Sequence, residues 1–259
     1  MEFFQKFFLL IVILSADHAS GEISRSTPKK CSPNEHWVRT HVRRAYIRSD
    51  GTHVSSSKVI GHCRENSAVY SIWRNRIRNG VPVNWERKGE SGANWSDDEI
   101  EAFLEALAVI PDQLTKAQVI NVYRARKSTD HPNPASSSDG IIVFYNSAFD
   151  RPTNLSRVLA HELAHQKYRD LNDEERKNYW TATNWFNLSQ DDKHPAYIRR
   201  KDGYVEADGK ISPEEDFANN VEYFLFDKEK LHRASANASD WINKHFGDTF
   251  ILEGRRAQK

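Results

Sequence analysis

Residues 158–165 read VLAHELAH, which places two histidines four positions apart in an apolar run. In an α-helix, residues four apart lie one turn from each other on the same face, so we expect His161 and His165 to point the same way. Two imidazoles in this arrangement can bind one Zn²⁺, and Glu162 beside them can act as a general base toward a metal-bound water. This stretch therefore predicts a zinc site on a helix.

The flanking residues favour a buried helix. Pro152 is typical of a helix start, and Thr153 or Asn154 is the expected cap. Apolar residues follow at helical spacing and predict the buried face. The members of this face are Leu155, Val158, Leu159 and Leu163. Unpaired polar groups in a core are costly, so two histidines and a glutamate on such a helix need partners. The alternative is a surface helix whose polar side chains are solvated.

The length and charge of the chain limit the functions that it can have. Its 259 residues are enough for one catalytic domain with a small extra module, and its net charge is +1. No overall field therefore favours nucleic acid or an anionic membrane. Arg and Trp are interleaved in residues 66–90, a pattern found on some nucleic-acid-binding surfaces, but Arg at alternate positions more often indicates a solvated basic face. Nucleic acid is not an expected partner, and the oligomeric state is left open.

The N-terminus predicts export. Lys6 precedes the apolar run 7–14, and small residues follow, so residues 1–21 are interpreted as a signal peptide. The run is too short to span a bilayer, and we expect no membrane span after signal removal. The expected location is secreted or periplasmic. The two cysteines of the chain, Cys31 and Cys63, are predicted to form a disulfide there.

The chain divides into a small module and a larger domain. Residues 22–65 are predicted to form a basic β module, because Asp50 and Gly51 separate two extended runs in the manner of a hairpin. Residues 66–259 are the predicted catalytic domain. There, Ser96 and Glu99 form a capping box that predicts a helix start.

Two buried strands are expected next, over 119–124 and 140–145, and polar loops over 128–139 and 186–211. Later helices are predicted to begin at Asn172 and Ser212, and a C-terminal helix to cover the core. The fold class is α+β.

This order of elements around the H-E-x-x-H motif resembles the zincin metallopeptidases. The resemblance covers about residues 96–250 and implies a zincin-like fold, in which an edge strand pairs with an extended substrate. One zincin class continues the motif as H-E-x-x-H-x-x-G-x-x-H, and it is excluded because Tyr168 and Leu171 occupy the Gly and last His positions. The stretch 212–220, SPEEDFANN, is similar to the E-x-x-A ligand segment of the gluzincins. By that match Glu215 is the third zinc ligand.

Other residues compete for this role. Ser212, Pro213 and Glu215 also form a helix cap, which would explain Glu215 without a metal. Glu214 and Glu222 are the main rivals as ligand. Further possible ligands are Asp216, His194 and His232.

The predicted activity is that of an exported zinc-dependent metallopeptidase with one Zn²⁺ per chain and a peptide or protein substrate. Glu162 is the general base, and Tyr204, Tyr223 or His232 is the candidate donor to the oxyanion. Asp216 and Glu222 are candidates to orient the imidazole rings. Alternatives are a zinc-binding protein without catalysis, such as an adaptor, and a secreted toxin-like effector.

Overall fold

A computed structural model describes most of the chain. The described residues are 35–38, 41–43, 46–47, 53–54, 57–65, 68–82, 85, 90–127, 133–150, 152–187, 197–199, 203–247 and 250. The predicted signal peptide, Cys31 and His194 lie outside them. The Cys31–Cys63 disulfide therefore stays a prediction, as does the division of the chain at residue 65.

Six short strands near the N-terminus pair as a nested antiparallel hairpin. The outer pair is β1 (Glu35–Val38) with β6 (His62–Glu65), the next pair is β2 (His41–Arg43) with β5 (Ser57–Val59), and the inner pair is β3 (Tyr46–Ile47) with β4 (His53–Val54). The inner pair flanks Asp50 and Gly51, so the pairing agrees with the hairpin predicted from these two residues, which themselves lie outside the described part.

A four-stranded mixed sheet lies at the centre of the larger unit. Its strands are β7 (Ile77–Arg78), β8 (Asn121–Arg124), β9 (Ala135–Ser138) and β10 (Ile141–Phe144), in the spatial order β7-β8-β10-β9. β7 and β10 both run parallel to β8, whereas β9 is antiparallel to β10. β9 is thus an edge strand. Together with the helices this sheet confirms the predicted α+β class.

The predicted loop over 128–139 is wrong for residues 135–138, which form β9. The segment reads ASSS, so it lacks the apolar alternation that marks a strand. Backbone pairing with the buried strand β10 holds it instead, from Ala135 opposite Phe144 to Ser138 opposite Ile141. An edge strand can be polar because it needs a partner on one side alone.

Three helices in the first half of the chain pack against one another or against the later helix α4 (Leu155–Asp170). They are α1 (Ala68–Arg74), α2 (Asp97–Leu107) and α3 (Asp112–Thr115). The predicted capping box at α2 is confirmed, with Ser96 and Glu99 bonding each other's backbone N–H. An aromatic cluster joins α2 to β10: Phe103 lies 5.6 Å from Phe144 and 5.7 Å from Trp95, between ring centroids.

Five longer or later helices complete the core. They are α4 (Leu155–Asp170), α5 (Asp173–Thr183), α6 (Pro213–Phe226), α7 (Lys228–Ala234) and α8 (Ala236–Phe246). Asn154 caps α4 and Asn172 caps α5, as predicted. α4 packs against α6, with the rings of Tyr168 and Phe217 5.4 Å apart. In the described ranges, no helix combines the length and apolar character needed to cross a bilayer.

The segment predicted as one loop over 186–211 contains regular structure. β11 (Trp185–Asn187) pairs antiparallel with β12 (Tyr197–Arg199), and a short 3-10 helix covers Ala207–Lys210. These elements are only three or four residues long, too short to show a period in the sequence, and they depend on backbone pairing and on contacts with α5 and α6.

Gln166 ties α4 to the β9–β10 turn. It is buried, its Oε1 accepts from the backbone N–H of Gly140 at 2.9 Å, and its Nε2 donates to the carbonyl of Ser138 at 2.6 Å. The side chain next to His165 in sequence thereby fixes the edge strand against the H-E-x-x-H helix.

Replacing Gln166 with Met should lower the free energy of unfolding by about 1–3 kcal/mol, because it leaves buried backbone groups of the turn without partners. Urea unfolding measures the change. Gln113 on α3 is exposed, so Gln113→Met is the control and should change stability by less than about 0.5 kcal/mol. Equal stability of the two variants would contradict this role of Gln166.

Candidate metal centre

One face of α4 carries a stripe of basic side chains. Arg157, His161, His165 and Arg169 follow one another at intervals of four, so they stack along the helix. His165 is buried and His161 is half-buried, whereas the helix also buries Leu159 and Leu163 in the core. The apolar residues thus fix the rotation of the helix that directs both imidazoles toward α6.

The start of α6 supplies the facing carboxylate. The hydroxyl of Ser212 caps the helix by accepting from the backbone N–H of Glu215 at 3.1 Å. This cap uses the peptide group of Glu215 and leaves its carboxylate available. The Oε2 of Glu215 lies 3.5 Å from the Nε2 of His161 and 3.5 Å from the Nε2 of His165. The cap and the ligand role are therefore compatible, and they use different atoms of one residue.

The three side chains converge on one point. The Nε2 atoms of His161 and His165 are 3.1 Å apart, and all three ligand atoms, including that of Glu215, lie within 4.8 Å of one another. This group could hold a metal ion. Among the described residues, it is the one group of three or more His, Cys, Asp or Glu side chains whose ligand atoms lie this close together.

A further carboxylate and arginine stand behind each imidazole. The Nδ1 of His165 lies 3.0 Å from Glu214, whose carboxylate accepts from Arg169 at 2.6 Å. This contact favours a proton on Nδ1 and leaves Nε2 free to bind a metal.

The same arrangement recurs at the other imidazole. The Nδ1 of His161 lies 3.5 Å from Glu222, and Arg157 donates to Glu222 at 2.6 Å. Glu222 thus lies where the sequence predicted an orienting carboxylate. Glu214, a rival for the ligand role, instead contacts the Nδ1 of His165, whereas Glu215 faces its Nε2.

The electrostatics of the site favour a positive charge between the imidazoles. Burial lowers the pKa of His161, but the carboxylates of Glu215 and Glu222 outweigh it and raise this pKa to about 10. The pKa of His165 is raised for the same reason by Glu214 and Glu215 against the effect of burial. Burial raises the pKa of Glu215, yet its contacts with the two imidazoles hold it well below its usual range. A divalent cation would satisfy the same carboxylates.

Glu162 lies beside this group and is buried. Burial raises the pKa of its carboxyl group, partly offset by the positive charge at the imidazoles. Its Oε2 has no hydrogen-bond partner in the described structure. A buried carboxyl oxygen without a partner is unfavourable, and it is a common feature of residues that exchange protons with a substrate.

Two cavities open onto the site. The larger, of about 770 Å³, is lined by both imidazoles, Glu162 and the edge strand β9. The smaller, of about 340 Å³, shares His161 and Glu162 with it and extends toward Arg157. His161, His165 and Glu215 therefore lie at the junction of a cleft that continues on both sides.

The two predicted tyrosines occupy different places. Tyr223 lines the smaller cavity, but its hydroxyl donates to Glu206 and accepts from Lys230 at 3.0 Å. Tyr204 packs edge-on against Trp185 with ring centroids 6.0 Å apart. Donation to an oxyanion by either hydroxyl stays a prediction, and for Tyr223 it requires release from Glu206.

The remaining candidates lie away from the imidazoles. Asp216 is fully buried and accepts from the hydroxyl of Tyr179 at 2.9 Å and from the indole of Trp185 at 3.0 Å. It thus joins α6 to α5 and β11. His232 is exposed on α7 and lines a separate cavity between α7 and α8.

Sequence reasoning missed the roles of Arg157 and Arg169. Their signal was present, because they lie four residues before His161 and four residues after His165. The spacing alone does not reveal which carboxylates they pair with, since Glu214 and Glu222 come from a helix more than forty residues later.

Comparisons with protein-family models, with curated proteins and with solved structures each found no match for the chain.

The cap and the carboxylate of α6 can be separated by mutation. Glu215→Gln keeps the backbone N–H that Ser212 caps, and it should abolish metal binding because an amide is a poor ligand. Ser212→Ala should keep the metal and lower stability by about 0.5–2 kcal/mol. Metal content by mass spectrometry and urea unfolding measure the two effects. Full metal content in Glu215→Gln would exclude this residue as a ligand.

Glu214→Ala should retain a metal site of lower affinity. It removes the carboxylate behind His165 and leaves Arg169 without this partner, so we expect a loss of about 10–100-fold in metal affinity. Competition with a chelator measures it. The control is Glu229→Ala, because Glu229 is an exposed residue on α7. If both variants bind the metal equally well, Glu214 does not orient His165.

Proposed function

We propose that this chain is a zinc-dependent peptidase. The observation that carries the proposal is the convergence of His161, His165 and Glu215 at the junction of an open cleft. Beside them lies the buried Glu162, whose Oε2 has no hydrogen-bond partner among the described residues. A site that held a metal for stability alone would have no use for such a carboxyl group.

Zinc is the proposed ion because the ligand set suits it. Two imidazole nitrogens and one carboxylate oxygen form the protein ligand set of several catalytic zinc sites. Zinc bonds of about 2.0–2.2 Å in tetrahedral geometry require ligand atoms about 3.3–3.5 Å apart. The observed separations of 3.1, 3.5 and 3.5 Å are close to these values.

A zinc ion held by these residues would lower the pKa of a bound water to about 7 and polarise a carbonyl group. Glu162 lies next to His161 in the cleft wall, where it can accept the proton of the attacking water. It can then donate that proton to the leaving amine.

The edge strand β9 supports a peptide as substrate. It lines the larger cavity beside both imidazoles, and it is the outer strand of the described sheet. An extended peptide can pair with an edge strand through backbone hydrogen bonds. The resemblance to zincins implies the same mode of binding. Residues 1–21 suggest that the protein acts outside the cytoplasm.

Glu162→Gln should keep about one zinc per chain and lose peptide hydrolysis by at least about 10²-fold in kcat, because the amide cannot accept a proton. Digestion of a peptide library, with and without a chelator, identifies a cleaved sequence, and its turnover is then compared between variants. Glu229→Gln is the control with the same change at an exposed site. Full activity in Glu162→Gln, or activity unaffected by the chelator, would overturn the proposal.

A further inference from the structure

Asp208 lies where the two cavities meet. It belongs to the 3-10 helix Ala207–Lys210 and is exposed. Its side chain borders the larger cavity and also the smaller one, as do His161 and Glu162. A substrate group near the metal would thus have this carboxylate within the same cleft, whichever side it entered from.

The position of Asp208 is fixed relative to the metal ligands. The buried amide of Asn219 donates from its Nδ2 to the Oδ1 of Asp208 at 2.6 Å. Asn219 lies four residues after Glu215 and therefore on the same face of α6. One helix thus holds both the metal ligand and this carboxylate.

Asp208 differs in its charge balance from four other carboxylates that line the cleft. Three of them have a cationic partner within 3 Å: Arg169 for Glu214, Arg157 for Glu222 and Lys230 for Glu206. Glu215 contacts the two imidazoles.

Asp208 has instead the neutral amide of Asn219 as its side-chain partner among the described residues. The cleft therefore contains an oriented and exposed carboxylate that no cationic side chain among the described residues neutralises.

We propose that Asp208 binds a positively charged group of the peptide substrate, an ammonium or a guanidinium, beside the bond to be cleaved. This inference rests on the function proposed above and adds a substrate class to it. The cation can be the side chain of Lys or Arg or the free amino terminus of the peptide. A charge-assisted hydrogen bond with an oriented carboxylate favours such a group over a neutral one.

The test measures binding in the full chain, zinc-loaded and carrying Glu162→Gln so that no peptide is consumed. The probes are labelled octapeptides of Gly, Ser, Ala and Gln with blocked ends, each with one Lys at a different position, and one peptide with a free amino terminus and no Lys. Fluorescence anisotropy should show about tenfold tighter binding for one of these cationic peptides than for the blocked neutral peptide. This gain should shrink as the salt concentration rises.

Adding Asp208→Asn should abolish the gain, and adding Asp208→Lys should reverse it, so that Glu at the selected position becomes favourable. Asp240→Asn is the matched control, because Asp240 is exposed on α8 and lines the separate cavity; it should leave the gain unchanged. A gain at a Lys position identifies a side chain as the ligand, and a gain with the free terminus identifies the amino group.

No gain for any cationic peptide, or a gain that persists in Asp208→Asn, would overturn the inference. Thermal unfolding of the Asp208 variants checks that they remain folded, since Asn219 can still donate to an asparagine oxygen at this position. A charge preference without hydrolysis by the unsubstituted protein would refute the proposed activity but leave the cation site standing. Hydrolysis by the unsubstituted protein without a charge preference would refute the cation site but leave the proposed activity standing.

Discussion

The close packing of α4 against α6 is the constraint on which the site depends. The two helices bury apolar side chains in one core, and the ring contact of Tyr168 with Phe217 at 5.4 Å joins them directly. This packing sets the separation and rotation of the helices, so it also sets the distance from Glu215 to the imidazoles of His161 and His165. A carboxylate placed a few ångströms farther away would not reach a shared ion. The geometry of the site therefore depends on the apolar side chains that α4 and α6 bury between them.

The facing sides of α4 and α6 carry opposite charges. Along α4 the stripe from Arg157 to Arg169 is basic, and the facing side of α6 is acidic, so each arginine meets one of the carboxylates that contact an imidazole. Desolvating a charge without a partner costs several kcal/mol, and these pairs offset that cost while they hold the carboxylates in place. The result is a site whose outer parts are arranged without an ion. At its centre the carboxylate of Glu215 faces both imidazoles, and these three side chains could hold a metal ion.

Sequence reasoning reached the parts of this structure that local rules govern. The periodicity around His161 predicts a helix, and Ser212 predicts the start of another, because capping and spacing act within a few residues. Glu215 was found through its resemblance to a ligand segment, and its rivals Glu214 and Glu222 were found as well. Their separate roles could not be assigned, because the difference between a ligand and an orienting carboxylate is a matter of which nitrogen each one faces across two helices. The edge strand over 135–138 was missed since its serines carry no apolar signal.

The state of Glu162 separates the two main interpretations of this site. A protein that used the metal for stability or for binding alone would gain from a side chain at this position that fits the core without a charge. The chain instead buries a carboxyl group with one oxygen that lacks a hydrogen-bond partner in the described structure, an arrangement that costs about 1–3 kcal/mol. Such a cost is consistent with a residue whose partner arrives with the substrate. Since the same residue forms part of the wall of both cavities, the position of the unfavourable group and the position of the open cleft coincide. That coincidence favours hydrolysis over a structural metal site.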